Sequence, residues 1–264
     1  MNYKEEILKL KKELDVVLVA HFYQRDEVFE LADITGDSLE LAKKVMESDK
    51  EFVVFCGVGF MGESAKILNP EKRVLMPRIA CCAMARMIDE GYFLENLKKM
   101  NEAGISNDDI LPITYINSSA SVKARVGEMG GMVCTSSNAY KIIEKGLQSG
   151  KKIFFVPDRC LGQNFAKSLG LKSAVIGDGT DLKEADIICY NGFCSVHQQF
   201  NIDDIDFYRE KYPGIIVAVH PECDPAVCDK ADFVGSTSQL IKFIKELPID
   251  QKVVVGTEFN MVNR

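Results

Sequence analysis

The chain is predicted to be an α/β protein made of three pseudo-threefold-related α/β domains, each with a small parallel sheet, around a central cavity. Three observations predict this. A polar helix start recurs at intervals of about a hundred residues, continuous Val, Ile and Phe strands flank each helix, and those strands end on equivalent polar or aromatic residues. Unbroken apolar strands alternating with helices are the pattern of parallel sheets covered on both faces.

The first fifteen residues, MNYKEEILKLKKELD, read as a charged amphipathic helix rather than a signal peptide. Ser38, Ser137 and Ser238 mark the repeats, within ITGDSLELAKKV (34–45), CTSSNAYKIIEKGL (134–147) and VGSTSQLIKFIKEL (234–247). Each is predicted to be an N-capped helix, and capping alone would account for Ser38, Ser136 and Thr237. Upstream stand the strands VVLVAHFYQ (16–24), ILPITYINSS (110–119) and GIIVAVHPE (214–222); downstream stand FVVFCGVGFM (52–61), KIFFVPDRCLG (152–162) and KVVVGTEF (252–259). A third strand closes the first two units, RVLMPRIACC (73–82) and ADIICYNGFC (185–194), the latter after a weaker strand SAVIG (173–177). The expected domains are therefore 1–100, 101–185 and 186–264, the last incomplete.

A net charge of −7 over 264 residues leaves no basic excess to displace phosphate counterions, so a general nucleic-acid binder is excluded. No apolar run has the length of a membrane span, and a cytoplasmic protein is expected. The nine cysteines include no C-x-x-C pair, which argues against zinc ribbons and thioredoxin-type sites and favours free thiols or metal ligands. GEMGGM (127–132) matches neither a dinucleotide nor a Walker fingerprint.

Ligands of α/β sheets bind at the carboxyl ends of parallel strands. The loops there carry His21, Tyr23, Tyr115, Asn117, His220 and Glu222. Three histidines occur in all: His21 and His220 end equivalent strands, and His197 follows Cys194 by three residues. Histidine suits proton transfer near neutrality, and anion binding when protonated. The equivalent third-strand loops end in Cys82 and Cys194, and the last repeat reaches Arg264 before its own version, which is expected beyond that residue. Cys56, Cys134, Cys160 and Cys189 fit plain packing, whereas Cys223 and Cys228 share a loop with His220-Pro221-Glu222 and suggest a metal or redox pair.

These residues together resemble the bacterial quinolinate synthase (quinolinate synthetase A) family. The match covers HFYQRDEV (21–28), GDSLELA (36–42), FCGVGFMGESAKILNPEKRVLMP (55–77), TYINSSASVKARVG (114–127), CTSSNA (134–139), CSVH (194–197), HPEC (220–223) and GSTSQL (235–240). The resemblance implies three α/β domains and a transferase of NAD biosynthesis that condenses iminoaspartate (iminosuccinate) with dihydroxyacetone phosphate, giving quinolinate, phosphate and water. It implies a [4Fe–4S] cluster held by one cysteine per domain with one iron open as a Lewis acid. Carried over, it makes Cys82 and Cys194 cluster ligands, with Cys81 the alternative to Cys82 in PRIACCAMA. His21, Ser38, Tyr115, Asn117, Ser136, His220, Glu222 and Thr237 become substrate-binding residues; Tyr23 and His197 assist proton transfer, and Glu222 is the base. Gly59 stands where the family's G-V-H-F-M segment has histidine. The implied partners are the two substrates and L-aspartate oxidase, with neither nucleic acid nor membrane. The competing expectation is a metal-free phosphate or dicarboxylate binding protein, or an inactive fragment.

Overall fold

The computed structural model describes residues 2–264. They form two compact units, one running to Cys82 and taking in Glu258–Arg264, the other spanning Ala83–Thr257. Among the described residues the strands make three sheets, of four, five and three strands, in which every pairing is parallel.

The first unit opens with α1 (Tyr3–Glu13), which Asn2 caps and which buries no residue, in keeping with Lys or Glu at seven of its eleven positions. There follow β1 (Val16–His21), α2 (Asp26–Phe29), β2 (Ile34–Gly36), α3 (Ser38–Glu47), β3 (Phe52–Cys56), α4 (Gly59–Leu68) and β4 (Arg73–Leu75). The sheet order is β2-β1-β3-β4. Central β1 is apolar on both faces because helices cover both, and Val19, Ala20, Leu41, Val45, Val53 and Phe55 are wholly buried. Residues 258–264 turn back over the loop after β1. Arg264 donates from Nε to Phe22 O (2.8 Å) and from Nη1 to Asp26 Oδ1 (2.6 Å), with its guanidinium 3.9 Å from the Phe29 ring centre.

The second unit contains α5 (Glu90–Glu102), β5 (Ile110–Tyr115), α6 (Ala120–Glu128), β6 (Met132–Cys134), α7 (Ala139–Leu147), β7 (Lys152–Val156), α8 (Arg159–Ser168), β8 (Ser173–Val175) and β9 (Ile187–Cys189). These strands form the order β6-β5-β7-β9-β8. Successive residues of β7 point to opposite faces, so Phe154 joins Phe93, Met100 and Val122 on one side while Ile153 and Phe155 join Ile143 and Leu161 on the other. Helix α5 and strand β9, which the boundaries at 100 and 185 assign elsewhere, both pack into this layer. The unit ends with α9 (Ile202–Lys211), β10 (Ile216–Val219), α10 (Pro225–Lys230), β11 (Phe233–Val234), α11 (Thr237–Glu246) and β12 (Val253–Gly256), whose sheet runs β11-β10-β12.

The repeat read from the sequence has a local structural counterpart. Leu18 and Asp33 exchange two hydrogen bonds, Leu18 N to Asp33 Oδ2 and Asp33 N to Leu18 O, each 2.8 Å. Val217 and Asp232 do the same, again at 2.8 Å each. The helix before each strand supplies a cation to the clasp: Lys11 Nζ lies 2.8 Å from Asp33, and Arg209 Nη2 3.0 Å from Asp232.

The helix caps correct one expectation. Asp37 caps α3 through a capping box with Glu40, Asn138 stands at the cap of α7, and Ser236 caps α11 through a box with Gln239. Ser38 and Thr237 are first helical residues instead, and Ser136 precedes its helix, so capping does not explain these three.

Candidate functional site

The loops that follow β9 and β10 bring their polar residues together inside the second unit. Chain leaving β9 reaches Cys194 and then a short 3-10 turn, His197–Gln199; chain leaving β10 passes through His220 and Glu222. His197 Nδ1 lies 2.9 Å from Glu222 Oε2 and 3.1 Å from Cys194 Sγ. The rings of His197 and His220 are stacked, 4.6 Å between centres and 19° between planes. Cys194 is half-buried; His197, His220 and Glu222 are buried.

The electrostatics follow from that burial. Dehydration pushes the Cys194 thiol far up, and the Glu222 charge adds to it, so without a metal the sulfur keeps its proton. Burial by itself would raise Glu222, yet the neighbouring imidazoles of His220 and His197 and the hydrogen bonds from His197 and Cys194 hold its carboxyl down at about 2. His220 is driven by burial to about 3 and is neutral at physiological pH. Its Nδ1 accepts from Glu222 N at 3.3 Å, which leaves the ring hydrogen on Nε2.

His21 repeats this arrangement at the end of β1. Tyr23 N donates to His21 Nδ1 at 3.2 Å, and burial lowers the imidazole to about 4. Both strand-end histidines are thus neutral, with the ring hydrogen on Nε2. For His21 desolvation decides this.

The remaining predicted residues divide between the units. His21, Tyr23, Ser38 and Cys82 belong to the first; Tyr115, Asn117, Ser136, Cys194, His197, His220, Glu222 and Thr237 belong to the second. Tyr115 ends β5, Asn117 is buried in the loop after it, Ser136 is half-buried ahead of α7, and Thr237 is buried at the start of α11. Cys82 is half-buried, whereas Cys81 is exposed.

Among the described residues, one grouping of His, Cys, Asp or Glu is close enough to hold a metal ion: the ligand atoms of Cys194, His197 and Glu222 all lie within 4.8 Å of one another. A thiol beside imidazole and carboxylate is a donor set suited to a transition metal or to an iron of a sulfide cluster. Cys223 and Cys228 do not join it. Cys223 Sγ donates to Gly256 O (3.6 Å), and Cys228 Sγ accepts from Asn164 Nδ2 (3.2 Å). Burial pushes Cys228 up to about 12, and Cys134, Cys160 and Cys189 are core thiols raised in the same way.

Two residues absent from the sequence-based set border the site. Thr257, directly after β12, places Oγ1 3.1 Å from His197 Nε2. Asp158 caps α8 by accepting from Leu161 N at 2.9 Å, while its other oxygen, Oδ2, is buried without a hydrogen-bond partner among the described residues. Burial and then the Glu222 charge raise the Asp158 carboxyl well above the ordinary range. The available signal for both was their place at the ends of apolar strands, the same signal that singled out His21 and His220.

Fold and site together define an α/β protein with small parallel sheets whose strand-end loops gather a half-buried thiol with a buried imidazole and carboxylate, a centre able to hold a metal. The family model described as quinolinate synthetase A protein matches residues 5–264, and the chain belongs to that family. It is similar to the quinolinate synthase of Helicobacter pylori strain 26695, 57% identical over all of this chain and 78% of that protein. It is also similar to those of Acidobacterium capsulatum, 44% identical over 94% of this chain and 70% of the relative, and Streptomyces coelicolor, 42% identical over 94% and 67%.

Proposed function

We propose that the protein is a quinolinate synthase that joins iminoaspartate to dihydroxyacetone phosphate, yielding quinolinate, phosphate and water for NAD synthesis. The observation that carries this reading is the close grouping of half-buried Cys194 with buried His197 and Glu222 in a chain of that family. A [4Fe–4S] cluster would take Cys82 and Cys194 as thiolate ligands, and its open iron supplies Lewis acidity toward an oxygen that must leave. The high thiol pKa of Cys194 means that ligation would displace a proton from its sulfur.

The protein's own groups supply the rest. Glu222 is ionised and excluded from water, which suits it to remove a proton from carbon, while the hydrogen bond from His197 Nδ1 holds the carboxyl in place for that transfer. His21 and His220 offer neutral N–H donors from Nε2, and Ser38 and Thr237 sit where helix N-termini favour anions. Tyr115, Asn117 and Ser136 add uncharged donors for carboxylate or phosphate oxygens, which orient a polyanion without burying a fixed counter-charge. Tyr23 assists proton transfer beside His21, whose ring it meets edge-on at 4.6 Å. L-aspartate oxidase is the partner that would supply the unstable imine.

The test is anaerobic purification followed by iron and sulfide analysis and an assay for quinolinate from the two substrates. Iron-loaded protein forming quinolinate upholds the reading. Iron-free protein that binds phosphate or dicarboxylates without turnover, under conditions that load a known synthase, overturns it.

A further inference from the structure

His197 stands on a single 3-10 turn with no strand to fix it, yet its ring must present one particular nitrogen to Glu222. A half-turn of the imidazole would exchange Nδ1 for a carbon and break the contact to Glu222 Oε2. Stacking against His220 confines the ring plane but does not distinguish the two half-turns. A second contact that distinguishes them is on the far side of the ring, where Thr257 Oγ1 lies 3.1 Å from Nε2.

The Thr257 hydroxyl is well placed to be a fixed point. It follows β12, which pairs with β10, and Gly256 O accepts from His220 N at 3.1 Å. The strand pair that carries His220 therefore also sets Thr257, and both Thr257 and His197 are buried, so water does not compete for the bond. With Glu222 an acceptor, Nδ1 carries the ring hydrogen and Nε2 the lone pair, to which the threonine hydroxyl donates.

We propose that Thr257 is a positioning residue whose hydroxyl holds the His197 ring in place with Nδ1 toward Glu222 and Cys194. The inference rests on the reading above for the use made of His197, but its structural readout does not. An oriented imidazole is worth having here because hydrogen bonds to the far nitrogen of a functional histidine typically govern activity about 10–100-fold.

The test compares Thr257→Val, which keeps shape and loses the hydroxyl, with Thr257→Ser, which keeps the hydroxyl. Thr257→Ala stands in if the valine variant does not fold. Nitrogen-15 NMR of the imidazoles is tractable because the chain has only three histidines. In anaerobically purified protein, Thr257→Val is expected to move the His197 Nε2 resonance downfield, as a ring nitrogen whose lone pair has lost its hydrogen bond, and to lower kcat about 10–100-fold with KM little changed. Thr257→Ser should keep both the Nε2 resonance and most of kcat. A wild-type Nε2 resonance in Thr257→Val, or a serine variant as impaired as the valine one, overturns the proposal. If the wild-type chain makes no quinolinate, the functional reading fails, and the Nε2 measurement alone then upholds or overturns the role of Thr257.

Discussion

His197 and Glu222 are joined through Nδ1 and Oε2 at 2.9 Å with both side chains withdrawn from solvent, although twenty-four residues separate them. The same nitrogen lies 3.1 Å from Cys194 Sγ, so carboxylate, imidazole and thiol meet around one atom. Such an arrangement couples their behaviour, and single substitutions should reveal it.

Cys194→Ser is expected to abolish quinolinate formation and reduce bound iron while leaving the secondary structure unchanged. Serine fits the half-buried place but is a poor ligand for iron. Iron content, visible absorbance and circular dichroism together check this.

Glu222→Gln keeps the shape of the side chain and removes the charge. Proton transfer by a positioned side chain is worth about 10²–10⁴-fold, and kcat should fall by that much. The same substitution removes the charge that helps raise the Cys194 thiol, so alkylation of Cys194 in metal-free protein should shift to lower pH. Steady-state kinetics and a pH series of alkylation rates measure the two effects.

His21 predicts an acid-sensitive stability. Burial takes its imidazole from the ordinary 6.5 to about 4, so the unfolded chain binds a proton at a pH where the folded chain refuses it. Stability from this group is therefore complete above pH 6.5 and is lost as pH falls toward 4, by up to about 3 kcal/mol. His220 acts in the same sense down to about 3, and Glu222, lowered from 4.5, loses its contribution as pH falls from there through about 2. Denaturant unfolding across this range should show the loss, and His21→Asn, which still accepts from Tyr23 N, should flatten it.

Two glycines should respond oppositely to alanine. At Gly59, the first residue of α4, an added Cβ would meet Ala80 O no closer than 3.6 Å, and Gly59→Ala should stabilise by about 0.4–1 kcal/mol. At Gly131 it would lie 2.2 Å from Pro112 O, and Gly131→Ala should destabilise by about 1–3 kcal/mol. Thermal unfolding of the two variants gives the comparison.

The paired strand clasps should be similar in worth. Asp33→Ala and Asp232→Ala each strip an acceptor from a backbone N–H in a central strand, that of Leu18 or Val217. Leaving such a donor unpaired costs about 1–3 kcal/mol, and amide hydrogen exchange at Leu18 and Val217 should accelerate accordingly.

The α/β class, the parallel strands and the strand-end loops were legible in the residues alone, because continuous Val and Ile runs and polar helix starts are local signals that do not depend on distant chain. The same signals singled out Cys194, His197, His220 and Glu222, since each sits at or near a strand end. Their contacts and charge states came from packing. That His197 turns one nitrogen to Glu222 and the other to Thr257, that Asp158 lies buried near an ionised carboxyl, and that His21 and His220 are neutral all follow from which segments pack against which and how completely water is removed. Desolvation is a property of the assembled surroundings, and no stretch of residues carries it alone.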